Sequence, residues 1–302
     1  MSLDLLEDLK RRRRAVILAH NYQLPEVQDL ADFVGDSLEM AFRAVDLDAD
    51  VIVVSGVRFM AEIVAAINPD RIVLHPEPNS RCPLADSVNA GLISDFRSRF
   101  KGVPVVVYVN SPIEVKAVAD YFVTSSSILR LISKLNVENV IFGPDKNLAD
   151  YISEKLNVNV IQLSPESHCP IYEYLLDEYY VLEALKHHPN AKLLVHPQVS
   201  KNVRRLAHFV GSDNGIVRAI GDLEGEEFLI GAEEGLAYRA GKLYGGKRIF
   251  PVNCRAVCIE MKKITPRNII NCLENLKFRV TLDREIISKA REVIFSSLEL
   301  LE

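Results

Sequence analysis

The sequence predicts an α/β protein made of three homologous three-layer αβα sandwich domains with parallel sheets. Three observations carry that reading: an internal period of 88 residues, short continuous apolar runs in place of alternating ones, and amphipathic stretches between the runs. The period is visible in "ADFVGDS", "ADYFVTSSS" and "AHFVGSD", which begin at Ala31, Ala119 and Ala207. Before each lies an apolar run, "ILAHNY", "VVYVNS" or "LLVHPQ". After each come "DVIVVSG", "NVIFGP" and "EFLIGA", then "RIVLHP", "NVIQLSP" and "RIFPVN", and a cysteine follows shortly.

The apolar runs are rich in Val, Ile and Leu without alternation, as strands covered by helices on both faces are. Between them, "PEVQDLADFV" opens on Pro25, "PIEVKAVADYF" on Pro112 and "SKNVRRLAHFV" on Ser200, residues suited to helix starts. The N-terminus up to Arg14 is expected to be a short helix, with Arg11 to Arg14 as its solvated, dipole-complementing end. The segment from Thr265 lies outside the period. It reads as helix, short strand, helix, with Thr265 and Asp283 as caps, packed on the first domain. The expected domains are 1–86 with 265–302, 87–173, and 174–264.

Composition narrows the function classes. A net charge of −5 gives no broad basic field for nucleic acid. No stretch approaches the ~20 apolar residues of a membrane span, and the start lacks a signal-peptide pattern, so a cytoplasmic location is expected. Five cysteines, odd in number and thinly spread, argue for metal binding or burial over a disulfide framework.

In parallel α/β layers ligands bind beyond the carboxyl ends of the strands. The repeat makes three sets of positions equivalent there: His20, Tyr108 and His196; Tyr22, Asn110 and Gln198; Ser37, Ser125 and Asp213. Cys82, Cys169 and either Cys254 or Cys258 add a thiol per repeat. Three-fold placement would bring all of them to one centre. Without any CxxC pair, three such thiols suit a [4Fe-4S] cluster with one iron open to substrate. A catalytic zinc completed by a histidine, or three unrelated buried thiols, are the alternatives. Cys272, in an apolar helical stretch, reads as a small core residue.

The motifs "ILAHNYQLPEVQDLADFVGDS", "SGVRFMAE", "CPLAD", "VVYVNS", "IFGPDKNLA", "HCP", "VHP" and "AVCIEMKK" span Val16 to Lys263. Together they resemble the quinolinate synthase family of iron-sulfur enzymes in NAD biosynthesis. The resemblance implies a pseudo-three-fold axis relating the domains. It also implies condensation of iminoaspartate, supplied by L-aspartate oxidase or dehydrogenase, with dihydroxyacetone phosphate to give quinolinate, phosphate and water. It selects Cys258 over Cys254, so that Cys82, Cys169 and Cys258 hold the cluster, whose open iron acts as a Lewis acid. Ser37, Thr124, Ser125 and Ser212 are expected to bind substrate with His20, Tyr108, Asn110 and Asp213, and Tyr22, His196 and the residue at 198 to move protons.

Two positions depart from the family pattern, which has Glu where this chain has Gln198 and Thr where it has Asp213. Glutamine keeps the shape of glutamate but takes no proton near neutrality, so binding with slow turnover is expected, as in a variant disarmed by design. Another cluster-dependent hydro-lyase and a non-catalytic metal or redox scaffold are the competing readings.

Overall fold

The computed structural model describes residues 3–302, so Met1 and Ser2 of the expected N-terminal helix lie outside the described residues. The first repeat runs α1 (Leu3–Arg13), β1 (Ala15–His20), α2 (Pro25–Leu30), β2 (Phe33–Gly35), α3 (Ser37–Asp46), β3 (Val51–Ser55), α4 (Arg58–Ile67) and β4 (Ile72–Leu74). The second runs α5 (Ala90–Arg99), β5 (Val105–Tyr108), α6 (Ile113–Lys116), β6 (Tyr121–Val123), α7 (Ile128–Leu135), β7 (Asn139–Gly143), α8 (Lys146–Lys155) and β8 (Asn159–Gln162). The third runs α9 (Glu178–His187), β9 (Lys192–Val195), α10 (Lys201–Leu206), β10 (Phe209–Val210), α11 (Asp213–Asp222), β11 (Glu227–Gly231), α12 (Glu234–Leu243) and β12 (Arg248–Pro251). Two helices follow, α13 (Pro266–Asn275) and α14 (Arg284–Glu299).

Each repeat forms a four-stranded parallel sheet, in the orders β2-β1-β3-β4, β6-β5-β7-β8 and β10-β9-β11-β12. Every residue of β3 is buried, as are most of β1, β5, β7, β9 and β11, which is why these runs carry no polar alternation. Each fully buried Val, Ile or Leu contributes about 1.5–3 kcal/mol relative to its exposed form. The α/β class and the three αβα units match the sequence-based expectation.

One expectation fails in detail. The stretches "PEVQDLADFV", "PIEVKAVADYF" and "SKNVRRLAHFV" are not helical throughout; α2, α6 and α10 end early and the chain turns into the edge strands β2, β6 and β10. The cause is a side chain that feeds the neighbouring strand. Asp32 Oδ2 accepts from Ile17 N at 2.8 Å, Asp120 Oδ2 from Val105 N at 2.8 Å, and His208 Nδ1 from Leu193 N at 3.1 Å. The backbone N–H of each returns the bond to the carbonyl of that same residue. Side-chain pairing of this kind, 88 residues apart in each repeat, outweighs helical periodicity.

Thr265 and Asp283 cap α13 and α14 as expected. The short strand between them shrinks to one antiparallel bridge, Leu74 with Arg279, on the edge of β4. α13 packs on α1, α2 and β3 of the first repeat, whereas α14 is shared between the first and second. Arg291 Nη1 donates to the Ala66 and Ile67 carbonyls, and Phe122 N donates to Ser297 Oγ at 2.9 Å.

Candidate functional site

The carboxyl ends of β1, β5 and β9 open on one cavity of about 340 Å³ between the three sheets. His20 closes β1, Tyr108 closes β5, and His196 follows β9 directly. All three line the cavity and are at least 95% buried. His20 Nδ1 accepts from Tyr22 N, and His196 Nδ1 accepts from Gln198 N, both at 3.2 Å. These bonds leave the ring proton on Nε2. Burial lowers both imidazoles to about 3, with Lys262 adding to the effect at His20 and His20 at His196. Both rings are therefore neutral hydrogen-bond donors and poor bases at neutral pH.

Tyr22, Asn110 and Gln198 also line the cavity. Tyr22 Oη donates to Asp213 Oδ1 at 2.7 Å and lies 2.5 Å from Tyr172 Oη. Burial, then the Asp213 carboxylate, raises the Tyr22 phenol well above its ordinary value. Asn110 Nδ2 lies 3.8 Å from Cys82 Sγ. Gln198 accepts from Tyr108 Oη at 3.4 Å and donates through Nε2 to Asp145 Oδ2 at 2.7 Å.

Three helix starts face the same space. Ser37 opens α3, Thr124 and Ser125 precede α7, and Asp213 opens α11, and all four line the cavity. Ser212 does not: its hydroxyl is the N-cap of α11 and accepts from Gly215 N at 3.2 Å. α3 and α11 begin with carboxylates, Asp36 and Asp213, while α7 begins with hydroxyls alone, so its positive end is open to an anion.

Cys82, Cys169 and Cys258 line the cavity, whereas Cys254 is exposed outside it. Cys272 is buried in α13 and donates to Lys277 O. Each cavity thiol precedes a single short helical turn and is approached by the backbone N–H groups two and three residues on. These are Leu84 and Ala85 at Cys82, Ile171 and Tyr172 at Cys169, and Glu260 and Met261 at Cys258. Burial raises Cys82 to about 11, Cys258 to about 12 and Cys169 well above the usual value; the amides pull the other way, toward thiolate. Among the described residues no three His, Cys, Asp or Glu side chains converge closely enough to hold one metal ion. Three soft donors around a shared space, each supplied with amide hydrogens, fit a polynuclear cluster taking one thiolate per iron.

The strand-end loops are held by a device repeated three times. Gln28, Lys116 and Arg204 occupy equivalent positions in α2, α6 and α10, and all are buried. Gln28 Nε2 donates to Asn21 O and Gln23 O, Lys116 Nζ to Val109 O and Ser111 O, and Arg204 Nη1 to Pro197 O and Val199 O. The same three residues meet the start of α4, α8 or α12 of the preceding repeat. Lys116 lies over the Phe59 ring, Arg204 donates to Asn147 O, and Gln28 donates to Gly235 O. Repeat one thus braces two, two braces three, and three braces one, which closes the pseudo-three-fold ring around the cavity.

Tyr172 and Glu233 also line the cavity, and Asp145 stands behind Gln198; sequence reasoning named none of them. The Tyr172 ring stacks on His196 at 5.0 Å. Its counterparts, three residues after Cys82 and Cys258, are Ala85 and Met261, so no periodic signal marks it. Burial raises Glu233 to about 7, opposed by Lys262. Asp145 and Glu233 follow β7 and β11, a second tier of strand ends that the same 88-residue period marks.

Fold and cavity define a class: an α/β protein of three repeated parallel layers sharing one small-molecule site at their strand ends. The family model described as "Quinolinate synthetase A protein" matches residues 4–299. The quinolinate synthase of Pyrococcus furiosus is 44% identical over 295 residues, covering 98% of this chain and 96% of that protein. That of Thermococcus kodakarensis is 42% identical over 299 residues (99% and 98%), and that of a Thermotoga species 39% over 300 (99% of each). The chain belongs to the quinolinate synthase family.

Proposed function

We propose that the protein is a quinolinate synthase of NAD biosynthesis, condensing iminoaspartate with dihydroxyacetone phosphate and releasing phosphate and water. Iminoaspartate would come from L-aspartate oxidase or dehydrogenase, in the cytoplasm. The observation that carries the reading is the set of three equivalent thiols, each with the same two amide donors, around a cavity lined by equivalent polar residues.

Cys82, Cys169 and Cys258 would hold a [4Fe-4S] cluster, which supplies a Lewis acid at its unligated iron. The remaining work falls to the chain. The Nε2–H groups of His20 and His196 and the Asn110 amide donate to substrate carboxylates without adding charge. Ser37 and Ser125 donate from helix starts; the hydroxyl-rich start of α7, with Thr124, is the natural seat for phosphate. Tyr22 and Tyr108 hold protons at the cavity wall. Ser212 acts through the helix start that presents Asp213.

The test is anaerobic purification, iron and sulfide analysis, and a quinolinate assay with both substrates. Four irons and four sulfides per chain, with product dependent on dihydroxyacetone phosphate, are expected for one such cluster. One tightly bound zinc, or no product with the cluster intact, overturns the reading.

A further inference from the structure

Of the three residues expected to move protons, two are unsuited to it. Gln198 has no titratable proton, and its amide is engaged by Asp145. His196 is buried and neutral, with Nδ1 already accepting from Gln198 N. Tyr22 remains, and its hydroxyl points at a carboxylate, Asp213 Oδ1, 2.7 Å away. Asp213 is 5% exposed, opens α11 and lines the cavity. No cation pairs with it among the described residues.

We propose that Asp213 and Tyr22 form the proton-transfer couple of this site, the carboxylate at 213 doing the work that Gln198 cannot. The substrate breaks a C–H bond next to its carbonyl or imine and keeps the electron pair as an enolate or aza-enolate. The proton goes to Tyr22 Oη, and the proton of Tyr22 passes to Asp213. In the dehydration steps the path reverses: Tyr22 protonates the departing hydroxyl, which leaves as water, and Asp213 restores the proton to Tyr22. Tyr22 touches substrate; Asp213 acts through it and is a positioning and proton-storing residue.

The surroundings suit the task. Burial raises Asp213 to about 7; the Tyr22 hydrogen bond opposes the rise, while Asp36 and Glu233 add to it. Tyr108 and Tyr172 face it across the cavity, and the Asn21 side chain adjoins it. A base that titrates near neutrality is the efficient one at that pH. With a carboxylate at Asp213 in that role, slow turnover does not follow from glutamine at 198.

The proposal rests on the synthase reading for its substrates, and a spectroscopic arm separates the two. In the cluster-loaded enzyme, Asp213→Asn and Tyr22→Phe should each lower kcat about 100-fold. The double variant should lose little more, because the two act as one unit. The limb of the kcat profile near pH 7 should vanish in Asp213→Asn. Independently of turnover, infrared difference spectra of 13C-aspartate-labelled protein should show a carboxyl band titrating near neutrality that Asp213→Asn removes. Additive losses, an unchanged kcat and pH profile in Asp213→Asn, or no such band overturns the proposal. So does a 100-fold gain from Gln198→Glu, which would mean that the chain lacked the carboxylate it needs. Wild-type enzyme that makes no quinolinate sinks the functional reading alone, and the band still decides the couple.

Discussion

Lys116 Nζ lies 2.9 Å from the carbonyl oxygen of Val109, fully buried, and so fixes the loop that carries Asn110. Burial lowers the Lys116 amine to about 7, with Glu62 opposing, and a polar group so buried is costly unless its hydrogen bonds are made; here Ser111 O and Ser111 Oγ complete them.

Replacing Lys116 by Met keeps the stem but leaves Ser111 O without its donor, and Val109 O with the Ser111 amide alone. Lys116→Met should destabilise the fold by about 3 kcal/mol. Urea unfolding measures it, with exposed Lys101→Ala as a surface control expected within about 0.5 kcal/mol.

Substitution at Cys258 and Cys254 tests which of the two would hold the proposed cluster. Cys258→Ala, like Cys82→Ala and Cys169→Ala, should yield protein without stoichiometric iron, while Cys254→Ala should retain it. Anaerobic iron and sulfide analysis decides, and the opposite pattern would exchange the two assignments.

Asp213 carries a stability cost with a definite sign. Its folded value of about 7 exceeds the ordinary 3.8, so the native state holds the proton more tightly and loses stability as pH rises between those values. Asparagine escapes this cost and still accepts from Tyr22. Asp213→Asn should match wild type near pH 4 and exceed it by up to about 4 kcal/mol at pH 8. Denaturant unfolding at the two pH values checks this, and a constant difference would refute it.

Gly235 touches the first repeat so closely that a Cβ there would meet Asn21 O at 2.7 Å and Tyr22 Cα at 3.0 Å, both backbone atoms. Gly235→Ala should cost about 1–3 kcal/mol and lower kcat by displacing Tyr22. Gly246 has no neighbouring atom within 4 Å of the place a Cβ would take, and it should accept Ala without loss in thermal unfolding.

Much of this was legible in the chain. The 88-residue period located β1, β5 and β9 and, with them, His20, Tyr108 and His196, because side chains at equivalent strand ends must face the same way. What misled the reading was local: apolar residues after α2, α6 and α10 fit a helix face as well as an edge strand. Asp32, Asp120 and His208 settle the choice only through bonds to a strand 15 residues earlier. Tyr172 was missed because its place in the cavity comes from contacts across repeats, with Tyr22 and His196; Asp145, behind Gln198, sits at a strand end that the period does mark.

The sequence by itself determined the repeated α/β layers, the parallel sheets and the family, since periodic burial and motif spacing are local properties of the chain. It left Cys254 and Cys258 to be separated by resemblance, and it left Asp213 without a partner. Only the tertiary structure put Cys258 in the cavity and Cys254 outside it, and only there does Asp213 meet the hydroxyl of Tyr22, 191 residues away. Such pairings depend on how three sheets close into a ring, and ring closure is fixed by packing and buried hydrogen bonds between distant segments, which no stretch of sequence contains.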